Sequence, residues 1–169
     1  MIKWEPLESP HFRDEDLSGV WLLNPRWTSG DLTRANLEDV RCIGGSYAFC
    51  VWERANLSRS RFSGTSFTNG IFHEVVWRDA MVIVCDFAFS SFVGADVRNT
   101  NFTRSLLEHS NLTDANFRHV IARYASFARS LLDNSDFSDA DLRNADFRGA
   151  SLVNTCFDRA DLAGAIFDD

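Results

Sequence analysis

The chain lacks the features that place a protein in a membrane or mark a secreted one. No part of its 169 residues approaches the roughly 20 consecutive apolar residues of a membrane-spanning helix. The opening stretch, Met1 to Asp16, is polar with a few large apolar side chains and does not form a signal peptide. We therefore expect neither contact with a membrane nor a secretory route.

The chain also lacks the residue clusters that support catalysis or bind metals. Its four histidines form no HxxxH or HExxH motif, and its four cysteines show no CxxC spacing. No Gly-rich phosphate loop precedes a helical pattern. From these absences we expect no enzyme activity, no metal and no cofactor.

What the sequence does contain is a five-residue period. From position 17 to position 167 it runs through 31 consecutive units, and 23 of their centres are Leu or Phe. From Val20 to Ala165, the residue two positions before each centre is never bulkier than Val or Pro. The clearest units are Ala140-Asp141-Leu142, Ala145-Asp146-Phe147 and Ala160-Asp161-Leu162.

A five-residue period fits neither a helix nor a flat strand. On a helix, successive centres would drift by about 140° and never line one face. In a strand, an odd step would send alternate centres to opposite faces. The chain must therefore turn once per unit, with the small and large residues pointing inwards, as in a stacked solenoid. We expect Phe67, Phe87 and Phe147 to face the axis, with Arg148 and Gly149 at a corner.

These units, together with Ala35-Asn36-Leu37, Ala55-Asn56-Leu57 and Ala115-Asn116-Phe117, resemble the pentapeptide-repeat family, whose consensus is A(D/N)LXX. The resemblance implies an all-β fold, a right-handed quadrilateral parallel β-helix of about eight coils with twenty residues per coil. At the spacing of stacked strands the rod would be about 37 Å long. We expect residues 1–14 to form an N-terminal cap and residues 15–169 to form a single β-helical domain.

The frame also makes local predictions. Cys42, Cys50 and Cys85 fall at inward positions and Cys156 at an outward one, so we expect mostly buried free thiols and a cytoplasmic location. At Val120-Ile121-Ala122 a larger residue replaces the small one and a small residue replaces the large one, which favours a bulge or a widened coil.

The charge is concentrated near the C-terminus. Residues 131–169 contain nine Asp and three Arg, which gives −6 of the formal net charge of −7. Over about 10 Å of rod, this matches the linear charge density of duplex DNA. Such a surface would repel nucleic acid and attract basic clefts built to hold it. The acidic binding surface predicted in this way consists of Asp133, Asp136, Asp139, Asp141, Asp146, Asp158 and Asp161.

A structural interpretation of the same acids stays open. Asp directly before the centre belongs to the family consensus, as an outward residue that keeps the coil soluble. Asp141 and Asp161 stand twenty residues apart, so they should stack as like charges, and the pKa of one of them is expected to rise.

A second candidate surface is apolar. Sorted by twenty, one side of the tube collects large apolar residues at outward positions, interrupted by Arg41 and Arg61. A contiguous exposed apolar area is typical of an interface, although some corner residues could instead tuck against their neighbours. The predicted apolar interface consists of Trp21, Leu23, Ile43, Met81, Ile83, Val84, Ile121 and Tyr124.

Two functions follow as alternatives. The best-understood members of the family resemble duplex DNA in size and charge, bind DNA gyrase or related topoisomerases and protect them from quinolones. The resemblance therefore implies a DNA mimic with a topoisomerase partner, although this sequence has neither the C-terminal helix nor the frame-breaking loops of the quinolone-resistance type. The alternative is a scaffolding module whose apolar side docks a partner protein or a second copy. Direct nucleic-acid binding is expected in neither case.

Overall fold

The computed structural model describes residues 7–168, which contain short parallel strands and no helix. The strands are β1 (Leu7–Glu8), β2 (Trp21–Leu23), β3 (Trp27–Thr28), β4 (Arg41–Ile43), β5 (Arg61–Ser63) and β6 (Met81–Ile83). It follows that this part of the chain has no helix long and apolar enough to cross a membrane.

Strand pairing repeats every twenty residues. Strands β2, β4, β5 and β6 form one parallel sheet in that order, with Leu22 opposite Cys42 and Phe62 opposite Val82. Isolated parallel bridges continue the same register to the C-terminal coils, for example Asp146 with Ile166. The protein is therefore a right-handed, four-sided parallel β-helix of about eight coils, which confirms the predicted fold.

The parallel pairing between residues twenty apart begins before residue 15. Strand β1 pairs with β3, and His11 bridges Asp31. Phe12 packs against Trp27, with ring centroids 4.9 Å apart and ring planes tilted by 39°. Residues 7–14 thus already follow the coil geometry, while residues 1–6 of the predicted cap lie outside the described residues. The capping role of residues 1–14 stays a prediction.

Each unit turns at the second residue after its centre, where the backbone enters the left-handed region. Gly149 has a φ of 69°, as its predicted corner position requires, and Asn99 has a φ of 59°. Gly, Asn and Asp suit this conformation because they tolerate a positive φ at low cost. Bulky residues also occupy it, including Val84 at 55° and Phe89 at 62°.

The large centres stack in columns along the axis. Phe67 and Phe87 lie 4.9 Å apart with ring planes 3° from parallel, and Phe127 and Phe147 lie 5.0 Å apart at 6°. All four rings are buried. The predicted inward orientation of Phe67, Phe87 and Phe147 is therefore confirmed, and the described interior is filled by side chains.

Buried hydroxyl groups at the small inward positions tie successive coils together. Ser90 Oγ donates to the carbonyl of Phe67 at 2.9 Å and accepts from the amide of Gly70 at 3.0 Å. Ser105 makes the equivalent pair with the carbonyl of Val82 and the amide of Cys85. Since both bonds join one coil to the preceding one, a polar residue can be buried here without an unpaired group.

The bulge expected at Val120-Ile121-Ala122 is absent, so that part of the prediction is wrong, and the widened coil named beside it stays a prediction. The amide of Ile121 donates to Thr100 at 3.0 Å and that of Ala122 to Asp141 at 2.8 Å, as in regular coils. Val120 and Ala122 are both buried. The extra volume of Val120 takes up the space that Ala122 leaves, so the backbone keeps its path.

Candidate binding surfaces

The outward side chains fall on four faces, which we name after their first outward residue: the His11, Asp16, Trp21 and Arg26 faces. In each unit the outward residues are the one before the centre and the two after it. On the Trp21 face these are residues 21, 23 and 24 and every twentieth residue from each. The other faces follow the same rule from residues 11, 16 and 26.

The predicted acidic residues do not share one face. The Asp16 face carries Asp136, Asp139 and Asp158, the Trp21 face Asp141 and Asp161, the His11 face Asp133, and the Arg26 face Asp146. A partner that touches one side of the tube would therefore meet at most three of them.

Most of these acids are also paired with arginines. The ion pairs are Arg118–Asp136 at 3.4 Å, Arg159–Asp139 at 2.6 Å, Arg123–Asp141 at 2.6 Å, Arg148–Asp146 at 2.5 Å and Arg143–Asp161 at 3.4 Å. Asp133 accepts from the Ser151 hydroxyl at 2.6 Å, and Asp158 makes no salt bridge within residues 7–168. The surface thus alternates carboxylates with guanidinium groups instead of presenting a row of free acids.

The stacked pair Asp141 and Asp161 behaves differently from its prediction. The two residues do bridge one another in register, but Arg143 bonds to both carboxylates. Hydrogen bonds from Arg143, joined by one from Arg123, lower the pKa of Asp141 to about 2. One pKa of this pair was expected to rise, and that of Asp141 is lowered instead, because hydrogen bonds from the two arginines outweigh its partial burial.

The acid before each centre also has a structural role. Its carboxylate accepts the backbone amide two residues later, as in Asp136 with Ser138 at 2.8 Å and Asp146 with Arg148 at 3.0 Å. This bond fixes the start of each turn. The consensus position of Asp is thus explained by the coil itself, which supports the structural interpretation of these acids.

The arginine partners were not predicted, although the sequence contains a signal for them. Pairs such as Asp39–Arg59 and Asp139–Arg159 stand twenty residues apart, at equivalent corners of neighbouring coils. Arg123–Asp141 stands eighteen apart, from the residue after one centre to the residue before the centre stacked on it. Arg148–Asp146 stands two apart, on either side of one centre. Opposite charges at spacings of two, eighteen and twenty would have identified these partners.

The apolar residues, in contrast, do lie on one face. Trp21, Leu23, Ile43, Met81 and Ile83 line a groove of about 220 Å³ that spans the four strands of the sheet. Ile43 is 65% exposed and Trp21 is 46% exposed, so this apolar surface is open to solvent. The remaining predicted members, Val84, Ile121 and Tyr124, are exposed on the same face but do not line the groove.

The Trp21 face is also basic, which the net charge of the chain conceals. Its outward positions in residues 9–168 hold five arginines and two aspartates, whereas Asp and Glu outnumber Arg by eighteen to eleven on the other three faces. No carboxylate occurs on this face before Asp141. The five arginines are Arg41, Arg61, Arg104, Arg123 and Arg143.

Two of these arginines border the apolar groove. Arg41 and Arg61 are direct neighbours in the register of β4 and β5, and the Arg41 guanidinium lies 5.5 Å from the centre of the Trp21 ring. The groove thus combines an apolar floor with two adjacent cations.

Within residues 7–168, no three of the His, Cys, Asp and Glu side chains are grouped so that they could hold a metal ion.

A family model described as pentapeptide repeats matches the chain in eight copies, over residues 31–74, 85–118, 110–149 and 132–169. These matches span well over half of the sequence. No curated protein matches the chain significantly.

Solved structures of pentapeptide-repeat proteins share the fold at low sequence identity. The chain is 17% identical to HetL, a protein of Nostoc sp. strain PCC 7120 involved in the regulation of heterocyst differentiation. The aligned region covers 99% of this chain and 89% of the HetL chain, with a TM-score of 0.55. It is 21% identical to Rfr23 of the cyanobacterium Cyanothece 51142 over 53% of this chain, with a TM-score of 0.52, and spans only 60% of the Rfr23 chain.

A trypsin-treated form of QnrB1, a plasmid-mediated fluoroquinolone resistance protein, is 20% identical over 96% of this chain and 91% of its own, with a TM-score of 0.46. The HetL and Rfr23 structures thus show that the fold is shared.

Proposed function

Because the chain belongs to the pentapeptide-repeat family, we propose that it is a non-enzymatic binding protein whose partner docks on the Trp21 face. The rod presents its outer surface as the place for a function, since its described interior is filled by stacked side chains. The cytoplasmic location expected from the cysteines forms part of this proposal.

The observation that carries the proposal is the groove on the Trp21 face. It gathers five large apolar side chains on a flat sheet, where soluble proteins usually place polar residues. Interfaces between proteins combine such an apolar centre with arginine and aromatic residues. Trp21, Arg41 and Ile43 supply this combination within two neighbouring strands.

The test uses two matched double variants and affinity capture from the source cells. Ile43→Asp with Met81→Asp places two carboxylates in the groove, at positions that are 65% and 42% exposed. Leu131→Asp with Val153→Asp makes the same change at equivalent positions of the His11 face, which are 49% and 59% exposed. Both variants should fold, as thermal unfolding can establish.

We expect the wild type and the His11-face variant to retain a common partner and the Trp21-face variant to lose it. Titration of the purified partner should then show at least about a tenfold loss of affinity for the Trp21-face variant alone. Equal binding by both variants would contradict the proposal.

A topoisomerase partner is the second candidate function. It is supported by the excess of acids on the other three faces, where Asp and Glu outnumber Arg by eighteen to eleven. In this case the rod would present those faces to a basic cleft that normally holds DNA. The extensive pairing of the C-terminal acids reduces the charge available for this role.

A gyrase supercoiling assay, with and without ciprofloxacin, tests this candidate directly. Inhibition of supercoiling or relief of poisoning at micromolar protein would support it. Asp158→Asn with Asp161→Asn removes two exposed acids and should weaken the effect if the acids carry it. No effect of the wild-type protein on gyrase would remove the topoisomerase candidate, and an effect that persists in the variant would exclude these acids.

A further inference from the structure

The four-stranded sheet of the Trp21 face arranges its outward side chains in two rows along the tube. The first row reads Trp21, Arg41, Arg61 and Met81, and the second reads Leu23, Ile43, Ser63 and Ile83. The first row therefore runs from an apolar end through a cationic centre to a second apolar end, and the second row is apolar apart from Ser63. Both rows span four neighbouring strands. At the spacing of stacked strands these cover about 15 Å, the length of four or five residues of extended chain.

The cationic centre lacks a carboxylate partner on its own face within residues 7–168, where Arg41 contacts the Trp21 ring instead. Arg41 and Arg61 make no salt bridge with any residue in 7–168, whereas Arg34, Arg54 and Arg59 each pair with a carboxylate of a neighbouring coil. Across the corner, Asp39 and Asp79 line one surface depression together with Arg41 and Arg61. The pKa of Asp39 is lowered first by its hydrogen bond from Arg59 and to a smaller extent by Arg41. Like charges directly opposite one another on neighbouring strands destabilise a sheet. An anion bound between the two arginines would offset this repulsion.

Resting on the proposed function, we propose that the groove binds an extended acidic segment of the partner protein, one that combines carboxylates with large apolar side chains. The carboxylates would pair with Arg41 and Arg61, whose planar guanidinium groups suit a two-point hydrogen bond to carboxylate. The apolar side chains would cover the groove around Trp21 and Ile83. Both kinds of contact are available within the same four strands.

Charge argues against the other occupants of such a groove. A second copy meeting this one through the same face would place five arginines against five arginines, with only two aspartates on each side. A nucleic acid would meet favourable charge on the Trp21 face alone, because acids outnumber arginines on the remaining surface. A short acidic peptide contacts only the groove and avoids both costs.

The experiment is a selection from a random-peptide phage library on the full-length protein, followed by fluorescence anisotropy with the enriched peptide. Arg41→Glu with Arg61→Glu reverses the charge in the groove. Arg26→Glu with Arg129→Glu changes the net charge equally on the Arg26 face, where these two arginines likewise make no salt bridge within residues 7–168. All four arginines are exposed, so both variants should fold.

We expect enriched peptides that mix Asp or Glu with large apolar residues. Their affinity should fall at least about tenfold in the Arg41 and Arg61 variant and stay unchanged in the Arg26 and Arg129 variant. Raising the salt concentration should also weaken binding, because exposed charge pairs are screened.

Several results would overturn the inference: no enriched peptide, enrichment without an acidic bias, or equal binding by the two charge variants. Tighter binding of a single-stranded oligonucleotide than of the peptide, with loss in the Arg41 and Arg61 variant, would assign the groove to nucleic acid. A dimer in sedimentation that Ile43→Asp with Met81→Asp abolishes would assign it to a second copy. If a natural partner is lost on Ile43→Asp with Met81→Asp but not on charge reversal, the proposed function stands and only the acidic segment fails.

Discussion

Trp77 donates its indole N–H to the hydroxyl of Ser60 at 2.8 Å, and both side chains are fully buried. Trp52 occupies an equivalent inward position on another column, but its buried indole nitrogen has no acceptor among the described residues. The two tryptophans therefore pack alike and differ in one hydrogen bond. This difference allows the contribution of that bond to be measured.

We predict that Trp77→Phe destabilises the protein more than Trp52→Phe. Both changes remove similar ring volume, but Trp77→Phe also leaves the buried Ser60 hydroxyl without its partner. The additional loss in free energy of unfolding should be about 1–3 kcal/mol. Urea unfolding followed by circular dichroism measures it, and adding Ser60→Ala to Trp77→Phe should recover part of the loss. Equal destabilisation by the two single changes would disprove the assignment.

Val84 provides a test of the strained corners. Its φ of 55° lies in the left-handed region, which β-branched residues occupy only at a cost. Val84→Asn should remove about 1 kcal/mol of strain and raise Tm by roughly 2–4 °C. The side chain is 55% exposed, so little apolar burial is lost.

The control for this change is Ile43→Asn on the same face. Ile43 is 65% exposed but lies in strand β4, outside the positive-φ positions. It should therefore show no gain in Tm in differential scanning calorimetry. A similar rise for both variants would attribute the effect to surface polarity instead of backbone strain.

The tube could be predicted from sequence because its determinants repeat locally. Each centre, such as Phe87 or Phe147, must find space next to a small inward residue, and this requirement recurs every five residues. The bulge at Val120-Ile121-Ala122 could not be judged in the same way. Whether the larger Val120 compensates for the smaller Ala122 depends on the volumes of the inward side chains in the coils above and below. The sequence of a single unit does not contain this information.

The surfaces were harder to predict because they depend on residues in neighbouring coils. The apolar members of the Trp21 face were identified by sorting outward positions by twenty. The direction of the pKa shift of Asp141, in contrast, depends on Arg143 and Arg123 together. It could not be predicted from the stacking of Asp141 on Asp161 alone. Charge summed along the chain hides the basic character of the Trp21 face, since neighbours along the chain lie on different faces.

The cysteines should react very unequally. Burial raises the pKa of Cys50 to about 11 and that of Cys85 to about 12, and it also raises the pKa of Cys42. A thiol with a raised pKa forms little of the reactive thiolate, and burial also blocks access to reagents. Cys156 is partly exposed on the Asp16 face. Iodoacetamide at pH 8, followed by mass spectrometry, should modify Cys156 alone in the folded protein and all four cysteines in denaturant. Modification of Cys50 or Cys85 at a similar rate to Cys156 would contradict the buried placement.

Asp141 should make stability depend on acid pH. Its folded pKa of about 2 lies below the ordinary value of 3.8, because Arg143 and Arg123 stabilise the charged form against partial burial. A depressed pKa contributes stability that is present above about pH 4 and is lost as the pH falls towards 2. With a side chain only 20% exposed, the contribution at pH 7 should be about 2 kcal/mol.

Asp141→Asn should therefore lower the free energy of unfolding by about 2 kcal/mol at pH 7, with the difference from wild type vanishing near pH 2. Urea unfolding at several pH values measures this dependence. Asp158→Asn, at an exposed acid without a salt bridge in residues 7–168, is the control and should follow the wild-type profile. Asn can keep the turn hydrogen bond that the Arg143 amide donates, as Asn116 does with the Arg118 amide, so the substitution tests the charge alone. An equal loss at pH 2 and pH 7 would show that the arginine pairing of Asp141 contributes nothing.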